Sequence, residues 1–192
     1  MRKTNKDGYR ARSAYKLIEI DNKFKLLQSG QKIIDLGAYP GGWSQVAQQK
    51  TQDVVAIDIR LMEAIKGVEF IKCDIINEFE ILKEKLKDRK FDVVLSDMAP
   101  ESCGLQSLDH IRIMLLCEEA FKFAKHFLNC GGKFVVKIFQ GEHDKDFYNE
   151  LKKMFRVVNY FKPQSSRSES TEMYIVGLDF RNSQEKSPPE KQ

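Results

Sequence analysis

A chain of 192 residues with 42% hydrophobic content can build one cooperative core but not two, so a single domain is expected. A net charge of +4 is a weak lean toward a polyanionic partner, and the placement of the charge is more informative than its sum. Cys73, Cys103, Cys117 and Cys130 form no CxxC pair, His110, His126 and His143 lack metal-ligand spacing, and no apolar run is long enough to span a bilayer; a disulfide scaffold, a zinc site and a membrane protein are therefore not expected.

The chain opens on a basic arm. Arg2, Lys3, Lys6, Arg10, Arg12 and Lys16 meet a single acid, Asp7, which suits contact with a phosphate backbone as well as it suits a solvated leader. No signal-peptide core precedes the arm, so the reading is of an intracellular, cytoplasmic protein with reduced thiols, and a short organelle-targeting leader is compatible with it. Arg12 to Phe24 then reads as a helix, with Tyr15, Leu17, Ile18, Ile20 and Phe24 apolar and Arg12, Lys16, Glu19 and Lys23 marking another face.

Lys32 to Leu36 reads as a buried strand, after which Gly37-Ala38-Tyr39-Pro40-Gly41-Gly42 forces a turn into a helix from Trp43 to Gln49. Gly37, Gly41 and Gly42 permit positive φ and let a ligand lie against bare backbone, as where the first strand of a nucleotide-type α/β domain meets its cofactor. The spacing is neither GxGxxG nor a P-loop, which counts against a nicotinamide-dependent oxidoreductase. Asp53 to Asp58 is a second strand, and Asp58 follows Gly37 at close to the roughly 20-residue offset at which an acid reaches a cofactor ribose; a solvated strand-end aspartate fits the pattern equally well. Val68 to Lys72 is a third strand with Asp74 just beyond its carboxyl end, and Asn77 to Arg89 is a helix with Phe79, Leu82 and Leu86 inward and a lysine-rich solvent face.

Phe91 to Ser96 reads as a central strand running into Asp97-Met98-Ala99-Pro100, and the proline ends it so that Asp97 stands at the ligand edge of the sheet. Ser107 to Phe127 is a long helix expected to set Ile111, Leu115, Phe121 and Phe123 against the sheet, and Gly131-Gly132 to end that unit. Lys133 to Phe139 is a fifth strand interrupted by Lys137, whose burial is costly without an anionic partner. An edge lysine that blocks aggregation is the bland alternative, but the apolar neighbours favour a central, functional one. A helix from Lys145 to Lys153, a sixth strand from Phe155 to Tyr160, a polar stretch over 162–168 and a seventh strand from Glu172 to Leu178 complete the pattern. With no crossover helix between the last two strands, antiparallel pairing is expected there. Residues 182–192 are charged and Pro-containing without a core pattern and are expected to be a disordered tail, which leaves 1–181 as the domain and 1–11 as its basic arm.

Taken together, Arg12-Ser13-Ala14-Tyr15-Lys16-Leu17, Asp35-Leu36-Gly37 with Pro40-Gly41-Gly42-Trp43-Ser44-Gln45, Ser96-Asp97-Met98-Ala99-Pro100, Phe134-Val135-Val136-Lys137, and Ser165-Ser166-Arg167 through Glu172-x-Tyr174 resemble the FtsJ/RrmJ family of S-adenosylmethionine-dependent ribosomal RNA ribose 2'-O-methyltransferases. The likeness runs from about Arg10 to Leu178. It implies a Rossmann-like class I methyltransferase fold with a seven-stranded, mostly parallel sheet, the last strand antiparallel and helices on both faces. It also implies a Lys-Asp-Lys-Glu tetrad at Lys16, Asp97, Lys137 and Glu172. The implied cofactor positions are Gly41, Trp43, Asp58, Asp74 and Asp97, with Asp58 for the ribose, Asp74 for the adenine amino group, and the glycine loop, including Gly37 and Gly42, for the methionine portion. Lys137 is the implied contact to the attacking oxygen, as a general base or as a positioning cation.

The implied substrate is large-subunit ribosomal RNA, with uridine as the nucleotide and the ribosomal subunit as the setting. Arg2, Lys3, Lys6, Arg10, Arg12 and Arg167 are the expected RNA contacts; a monomer without a metal or a membrane partner is expected. Three departures stand out. Tyr39 replaces a small residue of the family's loop, Glu101 stands where the ribosomal branch often has asparagine, and Ser168-Glu169-Ser170-Thr171 is less basic than in well-matched relatives. They bear on substrate choice more than on reaction type. A tRNA anticodon-loop 2'-O-methyltransferase and a noncatalytic RNA-binding or ribosome-assembly protein are the alternatives. Met98 and the compact chain favour the ribosomal branch, and retention of all four tetrad residues argues against the noncatalytic one.

Overall fold

The computed structural model describes residues 8–100, 103–141, 144–167 and 170–181. The sequence expectations for Arg2, Lys3, Lys6, Glu101, Ser168, Glu169 and the 182–192 tail lie outside the described residues. Helix α1 (Ser13–Phe24) precedes β1 (Lys32–Leu36), α2 (Gly42–Gln48), β2 (Asp53–Asp58), β3 (Val68–Lys72), α3 (Phe79–Leu86) and β4 (Phe91–Ser96). Then come α4 (Gln106–Phe127), β5 (Leu128–Phe139), α5 (Asp144–Met154), β6 (Phe155–Phe161) and β7 (Glu172–Phe180). One seven-stranded sheet runs in the order β3-β2-β1-β4-β5-β7-β6. The first five strands pair in parallel, and β7 is antiparallel to both β5 and β6, as the absence of a crossover helix between β6 and β7 predicts.

Strand alternation divides the core into two faces. Ile33, Val54, Val93, Leu95, Val135, Tyr174 and Val176 point toward α1 and α2, where Leu17, Ile20, Trp43 and Val46 cover them. Their strand neighbours Ile34, Val55, Val94, Phe134, Val136 and Ile175 point the other way, under α3, α4 and α5. The sheet is covered on both sides, which is why its central strands read as nearly continuous apolar runs.

Three expectations are corrected. Ile111 and Leu115 are about half exposed; the sheet-facing stripe of α4 is Ile113, Cys117, Ala120, Phe121 and Ala124. The first half of this helix is apolar on more than one side, so periodicity offers two stripes and only the position of the sheet selects one. Gly131 and Gly132 do not end the unit before β5. They lie within a strand that starts at Leu128 and shifts register against β4 between Phe91 and Val93, and a Cβ on Gly132 would come within 2.7 Å of the Asn129 carbonyl oxygen. Helix α3 is shorter than expected at both ends: Asp74 accepts the backbone N–H groups of Ile76 and Asn77, holding them in a turn ahead of the helix, and Lys87, at φ +47°, ends it after Leu86.

Candidate active site

Lys137 is on the α1-facing side of β5, two residues from Val135, and is paired in register with Tyr174 of β7. Glu172, two residues before Tyr174, shares that face. The loop after β4 brings Asp97 alongside. Lys137 Nζ donates to the Asp97 carbonyl oxygen at 2.7 Å and lies 3.1 Å from Asp97 Oδ1, with its side chain 6% exposed. Tyr174 OH donates to the same Oδ1 at 2.8 Å. Across the face, α1 supplies Lys16, whose Nζ is 2.6 Å from Glu172 Oε2. The four residues of the expected tetrad therefore stand together as two ion pairs, and the Lys137 charge also acts on Glu172.

The electrostatics follow from this packing. Burial raises the Glu172 carboxyl, but the hydrogen bond and charge of Lys16, helped by Lys137, outweigh it and hold the group below its ordinary range. Burial and the neighbouring Asp97 carboxylate push the Tyr174 phenol well above its ordinary value, so it stays an O–H donor to Asp97.

Beside this cluster lies a cleft of ≈ 680 Å³ lined by Gly37, Asp58, Asp74, Asp97, Met98 and Arg112, among others. Its size suits a ligand of nucleoside dimensions. It sits beyond the carboxyl ends of β1, β2 and β4, where open α/β sheets bind ligands. Gly37 has φ +72°, and a Cβ there would lie 2.4 Å from Met98 Cγ, so bare backbone forms this wall. Asp58 is 5% exposed and spans the loop: Oδ2 accepts the Tyr39 N–H and Oδ1 the Arg60 N–H, each at 2.8 Å. The Arg60 guanidinium lies 4.2 Å from the Tyr39 ring centroid at the cleft wall. Asp74 is raised by partial burial, but hydrogen bonds from Asn77 and the Ile76 backbone bring it net below its ordinary value, so it is an anion at neutral pH.

Not every sequence-predicted cofactor residue faces the cleft. The Trp43 indole is 2% exposed. Its Nε1 donates to the Ser13 carbonyl at 2.8 Å and its ring packs 5.5 Å from that of Tyr174. Gly41 and Gly42 act through backbone packing. Gly41, at φ +108°, lies where a Cβ would meet Ile65 and Met62 of the β2–β3 connection, and Gly42 sits against Ala11. Arg10 staples that connection down, donating from its guanidinium to the Glu63 and Ala64 carbonyls while its backbone N–H bonds Gln45. It is thus engaged with protein, whereas Arg12 and Arg167 are exposed cations.

Two residues of the site stand in the family motifs with no role implied by the resemblance. Tyr174 is one; its place two residues beyond Glu172 on a strand was the signal. Asp35 is the other. It is fully buried, accepts the Ser44 hydroxyl at 2.6 Å on Oδ2, and leaves Oδ1 without a partner among the described residues. Burial, reinforced by the Asp97 and Asp58 charges and opposed by Ser44, pushes its carboxyl up to about 7.

A parallel sheet of this order with one antiparallel strand, and an acid-lined cleft at its carboxyl edge, define a Rossmann-like methyltransferase domain. The profile of the FtsJ-like methyltransferases matches residues 9–180. The ribosomal RNA large subunit methyltransferase E of Wolbachia pipientis wMel is 78% identical over 180 residues, covering 94% of each chain. The protein of the same name from Anaplasma marginale is 54% identical over 182 residues, covering 92% of this chain and 90% of that one. A crystal structure of a Plasmodium falciparum ribosomal RNA methyltransferase superposes with a TM-score of 0.80 at 35% identity, over 90% of this chain and 98% of that one. The chain belongs to the FtsJ-like methyltransferase family, and S-adenosylmethionine is its methyl donor.

The cleft fits that donor. A sulfonium and an ammonium are cations, and along the cleft lining the three carboxylates of Asp58, Asp74 and Asp97 outnumber the two guanidinium groups of Arg60 and Arg112. Gly37, Asp58, Asp74 and Asp97 are the residues that would hold it.

Proposed function

We propose that this protein methylates a ribose 2'-hydroxyl in large-subunit ribosomal RNA, with uridine as the nucleotide. The observation that carries the reading is the buried Lys137, held by the carbonyl and carboxylate of Asp97 at the edge of the acid-lined cleft. S-adenosylmethionine supplies an electrophilic methyl group when bound. A ribose hydroxyl is a poor nucleophile, so the protein must orient it and stabilise the negative charge that grows on its oxygen as its proton passes to solvent water and the oxygen takes up the methyl group. Two of the Lys137 ammonium protons are directed at Asp97, and the third can meet the acceptor oxygen. Tyr174 fixes the Asp97 carboxylate from the other side, and the Lys16–Glu172 pair presents further polar groups to the acceptor sugar.

The exposed Arg12 and Arg167, with Arg2, Lys3 and Lys6 of the arm, would contact phosphates rather than bases, giving salt-dependent affinity without sequence choice. A monomer is the accompanying reading, as is a reducing compartment, which four free cysteines support. No helix among the described residues is long and apolar enough to cross a membrane.

The test is transfer of labelled methyl from S-adenosylmethionine to large ribosomal subunits, free rRNA and bulk tRNA, with the modified site mapped and Lys137→Ala as control. Labelling of a large-subunit uridine 2'-oxygen that disappears in the variant is expected. Labelling confined to tRNA would replace the ribosomal reading with the anticodon-loop one, and donor binding without transfer to any RNA would overturn both.

A further inference from the structure

Glu19 lies outside the tetrad and the cleft, three residues after Lys16 on α1, close to one helical turn further along the same side. Its carboxylate is fully used. Oε2 accepts the Gln164 N–H at 2.5 Å and Oε1 accepts the Ser165 N–H at 2.9 Å. These residues begin the polar turn between β6 and β7. That turn carries the exposed Arg167 and leads to Glu172, the partner of Lys16. Helix α1 therefore grips the β6–β7 connection at both ends: Glu19 holds its start, and Lys16 holds its end.

Among the described residues the other backbone bonds of the turn are internal, and the connection next meets the sheet where Gln140 N–H bonds the Thr171 carbonyl. Ser166 N–H bonds the Pro163 carbonyl and Ser170 N–H bonds the Arg167 carbonyl, both within the connection itself. The hydroxyl oxygens of Ser165 and Ser166 are buried without a partner among the described residues. A buried hydroxyl that makes no bond contributes nothing to fixing its loop. Among the described residues, the hydrogen bonds that tie the 163–167 turn to α1 are the two to Glu19, and bonds to an ionised carboxylate are the strong kind.

We infer that Glu19 is a positioning residue for RNA: it fixes the 163–167 turn so that Arg167 meets the phosphates flanking the acceptor ribose while that ribose lies at the Lys16–Glu172 and Lys137–Asp97 pairs. The inference rests on the ribosomal methyl-transfer reading above. Glu19 touches neither donor nor acceptor in this role; it acts through Arg167. Removing the carboxylate frees the turn, and the guanidinium then has to be ordered at the moment RNA binds, which weakens RNA capture and leaves chemistry on bound RNA intact.

The test uses full-length protein, S-adenosylmethionine and large ribosomal subunits, with Glu19→Gln, Arg167→Ala and the double variant. Glu19→Gln replaces one acceptor with a donor that cannot serve a backbone N–H. It should raise KM for the subunit about tenfold, the equivalent of one lost charge-assisted contact. The turnover number and the donor affinity should stay at wild-type values, and Glu19→Asp, which restores the charge, should recover part of the KM loss. Arg167→Ala should cost far less in the Glu19→Gln background than in wild type, because the two residues act as one unit.

Additive effects, or a KM unmoved by Glu19→Gln, would overturn the inference. A Glu19→Gln protein with weakened donor binding and a lowered melting temperature would overturn it as well, by showing a general structural role. Wild-type protein inactive on every RNA would instead sink the functional reading beneath it, so the two failures are distinguishable.

Discussion

Replacing Lys137 with methionine removes the ammonium at nearly constant side-chain length and keeps the packing of β5. Breaking one side of a buried ion pair costs about 3–5 kcal/mol, because the surviving charge is left desolvated. Asp97 keeps the Tyr174 hydrogen bond at 2.8 Å and its side chain is 17% exposed, so the lower end of that range, about 3 kcal/mol, is expected. In a domain of this size that corresponds to a fall in Tm of about 6–12 °C. The effect on transfer should be larger in its own terms. Loss of a positioned proton-transfer or oxyanion-stabilising group typically costs about 10²-fold or more in rate. Lys137 does not line the cleft, so donor affinity should survive. Thermal unfolding, calorimetric titration with S-adenosylmethionine and labelled-methyl incorporation together separate the three quantities. A folded Lys137→Met protein with wild-type turnover would refute the role, and a loss of donor affinity as large as the loss of turnover would place Lys137 in the cofactor site instead.

The buried Asp35 makes stability depend on pH. Its folded pKa of about 7 lies above the ordinary value of 3.8, so the folded state holds an extra proton between those values. Stability from this group is present in acid and lost as pH rises toward 7, by up to about 4 kcal/mol; Asp35→Asn should flatten that slope in urea unfolding measured across the pH range. Gly37→Ala would place a Cβ 2.4 Å from Met98 Cγ at φ +72°, and left-handed backbone alone costs about 1–2 kcal/mol in an L-residue. About tenfold or greater weakening of S-adenosylmethionine binding is expected by calorimetry. Trp43→Phe removes the Nε1 bond to the Ser13 carbonyl. It should lower stability by about 1–3 kcal/mol while leaving donor affinity unchanged, a combination that titration and melting curves would check together.

Much of this protein is written locally. The β1, β2 and β4 boundaries coincide with largely apolar runs, because burial on both faces of a parallel sheet demands such runs, while the edge strand β3, Val68–Lys72, mixes apolar residues with Glu69 and Lys72. Gly37, Asp58, Asp74 and Asp97 fall at strand ends, and chain order alone puts strand ends at the ligand edge. The antiparallel β7 was legible from a missing helix. The family motifs named Lys16, Asp97, Lys137 and Glu172, but no local pattern says that residues as far apart as 16 and 172 form an ion pair.

The tertiary structure decided which way side chains of ambiguous character point. Ile111 and Leu115 satisfy a helical stripe as well as Ile113 and Cys117 do, and the sheet chose the latter. Trp43 stands in a cofactor motif, yet its ring fills the space between α1, α2 and β7. Arg10 belongs to a basic arm by composition, but two backbone carbonyls within reach claim its guanidinium. Asp35 and Asp58 look alike in sequence, as acids in or at the end of a short apolar strand. One is enclosed with a single hydroxyl partner and is raised to about 7, while the other is tied by two backbone N–H groups. Hydrophobic periodicity is set by the nearest neighbours along the chain, whereas desolvation, charge and hydrogen-bond satisfaction depend on atoms that only folding brings within a few ångströms.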